Sequence, residues 1–333
     1  MGRLVAIVTS VFDDWESFAA LVAEIAERFR GGDFAIHMLA VDDGSSAPFE
    51  PASINLSPSG AIAGIEVLRL ALNLGHQRAI AIGLCALVDR RDIDAVIVMD
   101  SDGEDQPGEI AALLAASERA PGQVVLARRA NRSGTRAFRF WHALYKLLSH
   151  SLTGRVINVG TFALMPMPAV RRLVHMPELW NNLAAAIMRS RLAYLTVPTE
   201  RGRHYAGRSS GSLTPLFVHG LSAMSAYTDI VLVRMLIAAG AIAAVSTLGI
   251  IAFTAIRLAS DLAIPGWATA AVGDLLIILF QTVVVVIAAS LTMLAGRSNR
   301  PIIPIIDAWP FVAERRRSEP NRPAMEALPR ALP

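Results

Sequence analysis

Ala95-Val96-Ile97-Val98-Met99-Asp100-Ser101-Asp102-Gly103-Glu104-Asp105 is the stretch on which the reading of this chain turns. Its opening five residues are apolar without interruption, as in a strand covered on both faces, and such strands belong to parallel sheets flanked by helices. The closing six carry four acids. Ligands of open α/β sheets bind at the carboxyl ends of the strands, and acids so crowded there repel one another unless a cation joins them. Asp100, Asp102 and Glu104 are therefore expected to hold Mg²⁺ or Mn²⁺, ions that suit carboxylate oxygens and keep positions open for phosphate oxygens.

The same alternation runs outward in both directions. Leu4 to Thr9 reads as a strand, Asp14 to Arg30 has helical spacing through Phe18, Leu21, Ile25 and Phe29, and Phe34 to Val41 is apolar again. That is a βαβ unit. Strands over Ile65 to Leu70, Gln123 to Ala127 and Ala193 to Val197, with helices over Gln77 to Val88 and Pro107 to Ser117, extend it. The fold class is α/β, a Rossmann-like and mainly parallel sheet. A second acidic cluster, Asp42-Asp43-Gly44-Ser45-Ser46, closes the second strand, where Asp and Gly are also ordinary turn formers.

Composition narrows the class. The 333 residues are 53% hydrophobic and 18% charged, which excludes disorder over most of the chain. Cys85 is the single cysteine, so disulfide stapling and multi-thiolate zinc sites are excluded and a reducing compartment is expected. A net charge of +3 is too small for a polybasic nucleic-acid binder, and no nucleic-acid partner is expected.

The excess hydrophobicity is concentrated near the C-terminus. Met235 to Ile256 runs 22 residues without a charge and Leu275 to Leu294 runs 20, each long enough to cross a bilayer. Arg234, Arg297, Arg300 and Arg315 to Arg317 flank the outer ends of this pair, whereas the connecting loop sets Arg257 against Asp261 and Asp274. By the positive-inside rule both termini face the cytoplasm. Val5 to Val8 is too short for the apolar core of a signal peptide. The expected order is a cytoplasmic domain over 1–211, a juxtamembrane amphipathic helix over 212–230, two transmembrane helices within 231–296, and a cytoplasmic, partly disordered tail over 297–333. The location is a cell inner membrane, with the lipid bilayer as partner. A homo-oligomer is compatible with the sequence.

Asp42-Asp43-Gly44-Ser45, Asn73-Leu74-Gly75 followed by Ala79 and Gly83, and Asp100-Ser101-Asp102 stand in an order and spacing that resemble the family 2 glycosyltransferases of GT-A fold, in particular the polyprenyl-phosphate glycosyltransferases such as dolichol-phosphate-mannose synthase. The resemblance covers Val5 to about Ser212. It implies inverting transfer of a hexose from a UDP- or GDP-linked donor to polyprenyl phosphate. It also implies nucleotide contacts at Asp42, Asp43 and Asn73 and a metal at Asp100 and Asp102, with Glu104 standing where many relatives have Gln. Ser10-Val11-Phe12-Asp13-Asp14 stands where the family reads Pro-Val-Tyr-Asn-Glu, which implies base and ribose contacts at Ser10, Phe12 and Asp14. Asn158 begins a segment in which many relatives carry Asp near the acceptor.

Two arginine groups complete the expected site. Arg128, Arg129 and Arg132 follow the fifth strand, and Arg201, Arg203 and Arg208 follow the strand ending at Val197. Guanidinium forks grip phosphate bidentately, as holding a lipid phosphate beside a nucleotide diphosphate requires. Asp102, Arg128 and Arg201 are the expected catalytic residues, and Arg129, Arg132, Arg203 and Arg208 the further phosphate contacts. A phosphate acceptor is already anionic at neutral pH and needs no general base. Two other readings stay open, a hydroxyl acceptor with a base still to be found and a non-catalytic nucleotide-sugar-binding membrane partner. Among the histidines only His204, beside the second arginine group, draws notice. Apolar residues at helical spacing from Phe138 to Leu152 and from Leu213 to Met224 read as membrane-surface or core-packing helices.

Overall fold

A computed structural model of the chain describes residues 3–47, 49, 60–129, 150–151, 154, 160–200, 202, 204–205, 227–259, 266–298, 300–319 and 322–325. The apolar runs form the centre of a mainly parallel sheet. Strands β1 (Arg3–Val11), β2 (Phe34–Asp42), β3 (Ile62–Leu70) and β4 (Ala95–Val98) run parallel in the order β4-β1-β2-β3. The chain steps from β1 through β2 to β3 on one side, then crosses back to place β4 on the other. That reversal of strand order opens a crevice at the carboxyl ends of β1 and β4, the place where such sheets bind ligands.

Strands β5 (Val124–Arg129), β6 (Ala163–Pro166) and β7 (Tyr194–Thr199) extend the sheet beyond β4. β6 is antiparallel to both β4 and β5, so β5 runs in the same sense as β4, and β7 is parallel to β5. The carboxyl ends of β1, β2, β4 and β5 consequently share one edge.

Helix α1 (Trp15–Arg28) buries Phe18, Leu21 and Ile25 against Val5, Ile7, Ile36 and Met38 on one face of the sheet. Helix α2 (His76–Leu87) covers the other face, with Ile80, Leu84 and Leu87 against Val8, Leu39, Val41 and Leu68. Truncating any of these fully buried Leu or Ile side chains to Ala costs about 2–5 kcal/mol. Gly83 is what lets α2 lie close: a Cβ there would meet Val8 Cγ1 at 2.7 Å and Val41 Cγ2 at 2.8 Å. Helix α3 (Ile110–Arg119) adds Ile110 and Leu113 to the α1 side, while α4 (Met167–Leu173) and α5 (Leu183–Arg189) add Val170, Leu173 and Ile187 to the α2 side.

Beyond the sheet, α6 (Thr228–Ala259) and α7 (Trp267–Ser298) are each 32 residues long. A core helix of that length would be mostly buried, yet only 11% of the most apolar window of each is covered. Both are long and apolar enough to cross a membrane. The two helices meet where Leu275 of α7 lies against Gly249 of α6 and where the Phe253 and Trp267 rings stand edge to face, 5.2 Å between centroids.

The chain divides into two compact units. One compact unit comprises Met1–Arg136, Ile157–Ala226 and Ile302–Pro333, and the other Ala137–Val156 and Tyr227–Pro301. The stretch over 297–333 expected as a partly disordered tail contains two strands of the sheet. After a helical turn at Pro304–Asp307 the chain forms β8 (Val312–Glu319), antiparallel to β3, and then β9 (Arg322–Met325), antiparallel to β8. The physical reason is pairing: β3 has an open edge, and β8 satisfies its backbone groups. The buried Glu66 side chain, 0% exposed, also finds its partner there, since Arg315 donates Nε to Glu66 Oε1 while His37 Nε2 lies 3.4 Å from Glu66 Oε2.

Candidate functional site

The acidic turn after β4 is braced from within. Asp105, nearly fully buried, accepts the Asp100 backbone N–H on Oδ2 at 3.0 Å, and Asp102 Oδ1 accepts the Glu104 N–H at 2.9 Å. Gly103 takes the turn with φ of 92°, a conformation favouring glycine. The chain after β7 then closes on this turn: the Gly202 N–H donates to Glu104 O and the Tyr205 N–H to Asp102 O, both at 2.9 Å. No side chain is tolerated at the closest point, because a Cβ on Gly202 would sit 2.0 Å from Gly103 O. Tyr205 is anchored at its far end, its hydroxyl donating to Glu24 Oε2 on α1 at 2.6 Å. Burial and that neighbouring carboxylate raise its phenol pKa.

These ties deliver His204. Its Nδ1 stands 3.4 Å from Asp102 Oδ2 and its Nε2 3.0 Å from Glu104 Oε1, and the three ligand atoms lie within 4.8 Å of one another. Nε2 is buried and forms no hydrogen bond among the described residues. Two carboxylates and an imidazole whose inward nitrogen lacks a hydrogen-bond partner fit a divalent metal, and an N,O set favours Mn²⁺ over the all-oxygen preference of Mg²⁺. The triad expected from sequence was Asp100, Asp102 and Glu104; the structure gathers Asp102, Glu104 and His204.

Asp100 faces elsewhere. Its Oδ1 lies 3.4 Å from His76 Nε2 and 3.5 Å from the Thr161 hydroxyl, which donates to it. His76 Nδ1 in turn meets Ser10 Oγ at 2.6 Å, and Ser101 Oγ donates to Ser10 O. Ser10, His76 and Asp100 thus link the ends of β1 and β4 across the crevice. Burial pushes the His76 imidazole below its ordinary value, against the opposing pull of Asp105, Asp102 and Asp43.

The Asp42-Asp43 pair is equally constrained. Asp42, fully buried, accepts the Ser45 N–H on Oδ1 at 2.8 Å and has Arg69 Nε 3.6 Å from Oδ2; Arg69 also donates to Ser45 O. Asp43 accepts the Leu74 and Gly75 N–H groups on its two oxygens at 2.7 and 2.9 Å, fastening the end of β2 to the start of α2. Burial outweighs those two donors and raises the Asp43 carboxyl pKa. Asp13, at φ of 50°, accepts the Ser46 N–H and closes the same loop over the end of β1.

The remaining expected residues are distributed as follows. Phe12 is 52% exposed beside the crevice, Asn73 is exposed, and Arg128 is exposed at the carboxyl end of β5. Asp14 Oδ1 accepts the Ser17 N–H at 3.2 Å, so this carboxylate caps α1. The Arg129 side chain lies outside the described residues, as do Arg132, Arg201, Arg203, Arg208 and Asn158, and so do the apolar stretches 138–149 and 213–224. Thr161, His76 and Asp105 are site residues that sequence reasoning did not select.

Residues 6–179 match the family model for glycosyl transferase family 2. No curated protein matches the chain. Solved structures similar to it include S. aureus TarS, residues 1–349, at 10% identity and a TM-score of 0.41, covering 70% of this chain and 66% of that one. Mannosyl-3-phosphoglycerate synthase from Rubrobacter xylanophilus is similar at 16% identity and a TM-score of 0.45, covering 67% and 72%. Glucosyl-3-phosphoglycerate synthase from Mycobacterium tuberculosis, solved with Mn²⁺, UDP and glucosyl-3-phosphoglycerate, is similar at 14% identity and a TM-score of 0.45, covering 68% and 80%.

Proposed function

We propose that this chain, which belongs to glycosyl transferase family 2, transfers a hexose from a nucleoside-diphosphate sugar to polyprenyl phosphate at the surface of a membrane. Membership makes it a glycosyltransferase; the lipid phosphate acceptor is the proposal. The observation that carries it is the pair of 32-residue apolar helices in the same chain as the transferase domain. An enzyme whose acceptor head group sits at the bilayer surface gains by being held there, because anchoring replaces a diffusional encounter with a local one.

Asp102, Glu104 and His204 would hold Mn²⁺ or Mg²⁺, which when bound neutralises charge developing on the departing diphosphate. The chain's own residues do the rest. Gly202 and Tyr205, through their backbone bonds to Glu104 and Asp102, hold His204 against the acidic turn. Asp42 and Asp43 shape the loop that receives the nucleoside, and Phe12 offers it an exposed ring. Ser10, His76 and Thr161 fix Asp100 at the crevice floor. Arg128, with Arg129, Arg132, Arg201, Arg203 and Arg208, supplies the phosphate grip.

An oxygen of the acceptor phosphate attacks the anomeric carbon from the face opposite the nucleoside diphosphate; the new carbon–oxygen bond forms as the bond to the diphosphate breaks, and configuration inverts. No proton has to be removed from the nucleophile, so the absence of a carboxylate at Asn158 costs nothing. That the chain before and after the two helices lies on one side of the membrane draws support from β3 and β8: they pair in one sheet, so residues 62–70 and 312–319 share a side of any membrane that the intervening helices cross.

Labelled UDP- and GDP-hexoses, each offered with polyprenyl phosphate or with polyprenol to the full chain in detergent, test the proposal. Label should move to the phosphate and not to the alcohol. Transfer to the alcohol alone would replace this reading with that of a hydroxyl-directed enzyme.

A further inference from the structure

Gln281 stands midway along the span from Trp267 to Gly296, with about 20 Å of helix on either side. In the uncharged runs of α6 and α7 it is the one side chain more polar than a hydroxyl. The threonines there are satisfied within their own helices: Thr247, Thr254, Thr282 and Thr292 each donate to the carbonyl four residues back, at 2.7 to 2.8 Å. The Gln281 amide carries two N–H donors and a carbonyl acceptor, and it makes no hydrogen bond among the described residues.

The amide also faces away from α6. Leu275 lies against Gly249 of α6, and Thr282 and Ala289, at seven-residue steps from Leu275, fall on that same face of α7 and are buried. Gln281 precedes Thr282 and is turned about 100° from it around the helix. It is exposed, as are Ile277 and Ala288 to either side of it on its own face.

Hydrocarbon offers an amide neither donor nor acceptor, so a side chain left in this state at the middle of a bilayer is costly. A neighbouring helix removes that cost only by presenting a polar group at the same depth. A second copy of this chain does so necessarily. Identical chains insert in one orientation, so their Gln281 side chains lie at equal depth, and an amide that both donates and accepts is complementary to itself about a twofold axis. Asp274, one heptad earlier and also exposed, would set like charges opposite each other. The closest approach therefore falls on the other side of Gln281, where Ala288 is small enough to let two helices come together.

We infer that α7 is the contact helix of a homodimer, in which the Gln281 amides of two copies hydrogen-bond to each other across a twofold axis along the membrane normal. This rests on the reading of α6 and α7 as membrane spans, and not on which sugar or acceptor the enzyme uses.

The test uses the full chain with Cys85→Ser, reconstituted in phosphatidylcholine liposomes. Single cysteines are placed by Ala288→Cys, on the Gln281 face, and by Ile287→Cys, at nearly the same depth but exposed on another face. Mild oxidation should give a disulfide-linked dimer from Ala288→Cys and little from Ile287→Cys. Fluorescence energy transfer between labelled chains, followed as lipid is added, gives the dissociation constant of the dimer. Gln281→Leu should raise it about tenfold at unchanged Tm, and Gln281→Asn, which keeps the amide, should restore most of the loss. Equal cross-linking at the two cysteines overturns the inference, as does a dissociation constant that Gln281→Leu leaves unchanged. Wild type that shows no energy transfer at any lipid dilution also overturns it, since something other than a second copy would then cover this face. A chain that does not float with the liposomes removes the membrane reading and this inference with it. A chain that floats and dimerises through α7 but transfers no hexose upholds the inference and removes the proposed function instead.

Discussion

His204 Nε2 lies 3.0 Å from Glu104 Oε1, a contact between the chain after β7 and the turn after β4 that a chain tie on either side enforces. A divalent cation seated among His204, Glu104 and Asp102 would take the place of this direct approach. The metal assignment can be tested at both ends of that contact. Asp102→Asn and His204→Ala should each lower turnover by roughly 10²–10³, the loss typical of one key electrostatic stabiliser. Excess EDTA should abolish wild-type turnover, and Mn²⁺ should restore it. Full activity in EDTA would remove the metal from the account.

Gly202→Ala probes the tie rather than the ligands. The added Cβ would sit 2.0 Å from Gly103 O, a backbone atom that cannot swing aside, so the segment carrying His204 must shift. Mn²⁺ affinity measured by titration should fall about tenfold or more, as when the groups that orient a ligand are lost. Gly122→Ala, whose Cβ meets nothing within 4 Å but which carries the strain of a φ of 80°, serves as the control and should leave Mn²⁺ affinity unchanged.

Much of this was legible in the sequence, and its failures have physical causes. The apolar runs of β1, β2 and β4 announced a parallel sheet because strands covered on both faces have no polar side to show. The short β6, four residues ending in Pro166, carries no periodicity to detect. β8 reads Val-Ala-Glu-Arg-Arg-Arg-Ser-Glu, the composition of a solvated tail; its strand state comes from pairing with β3 and from the buried Glu66, neither of which is local information. In the site, the acids of the β4 turn were readable because they are contiguous. His204 drew notice only as a neighbour of the second arginine group; its place beside the acids is set by the Gly202–Gly103 approach, which is not local information. Asp14, expected at the donor, accepts the Ser17 N–H as the cap of α1, a role that an Asp just before a helical run signals locally.

Acid should weaken the fold through Glu66. Burial raises this carboxyl, but the His37 contact and Arg315 prevail and lower its pKa from 4.5 to about 2. A carboxyl whose folded pKa is depressed contributes stability that is fully present above its unfolded value and is lost as pH falls towards the folded one. Tm should therefore decline as pH drops from about 4.5 to about 2, and more steeply in wild type than in Glu66→Gln. Equal slopes would show that this group does not titrate across the transition.

Topology is open to cysteine labelling. With Cys85→Ser as background, an impermeant thiol reagent applied to intact cells should modify Ser260→Cys, in the loop between α6 and α7, and spare Pro301→Cys, which leads to β8. Labelling of Pro301→Cys instead would invert the orientation, leaving the sheet intact but placing the donor site outside.

The most direct test of the central claim is the structure of the product. Full-length chain in bilayers, given Mn²⁺, its preferred nucleotide sugar and polyprenyl phosphate, should yield a lipid heavier by one hexose residue, with one nucleoside diphosphate released per transfer. Phosphorus and proton NMR should show a phosphodiester at the anomeric carbon, its configuration opposite to that of the donor. A lipid product lacking the sugar–phosphate bond, or retention of the donor's configuration, would contradict the account.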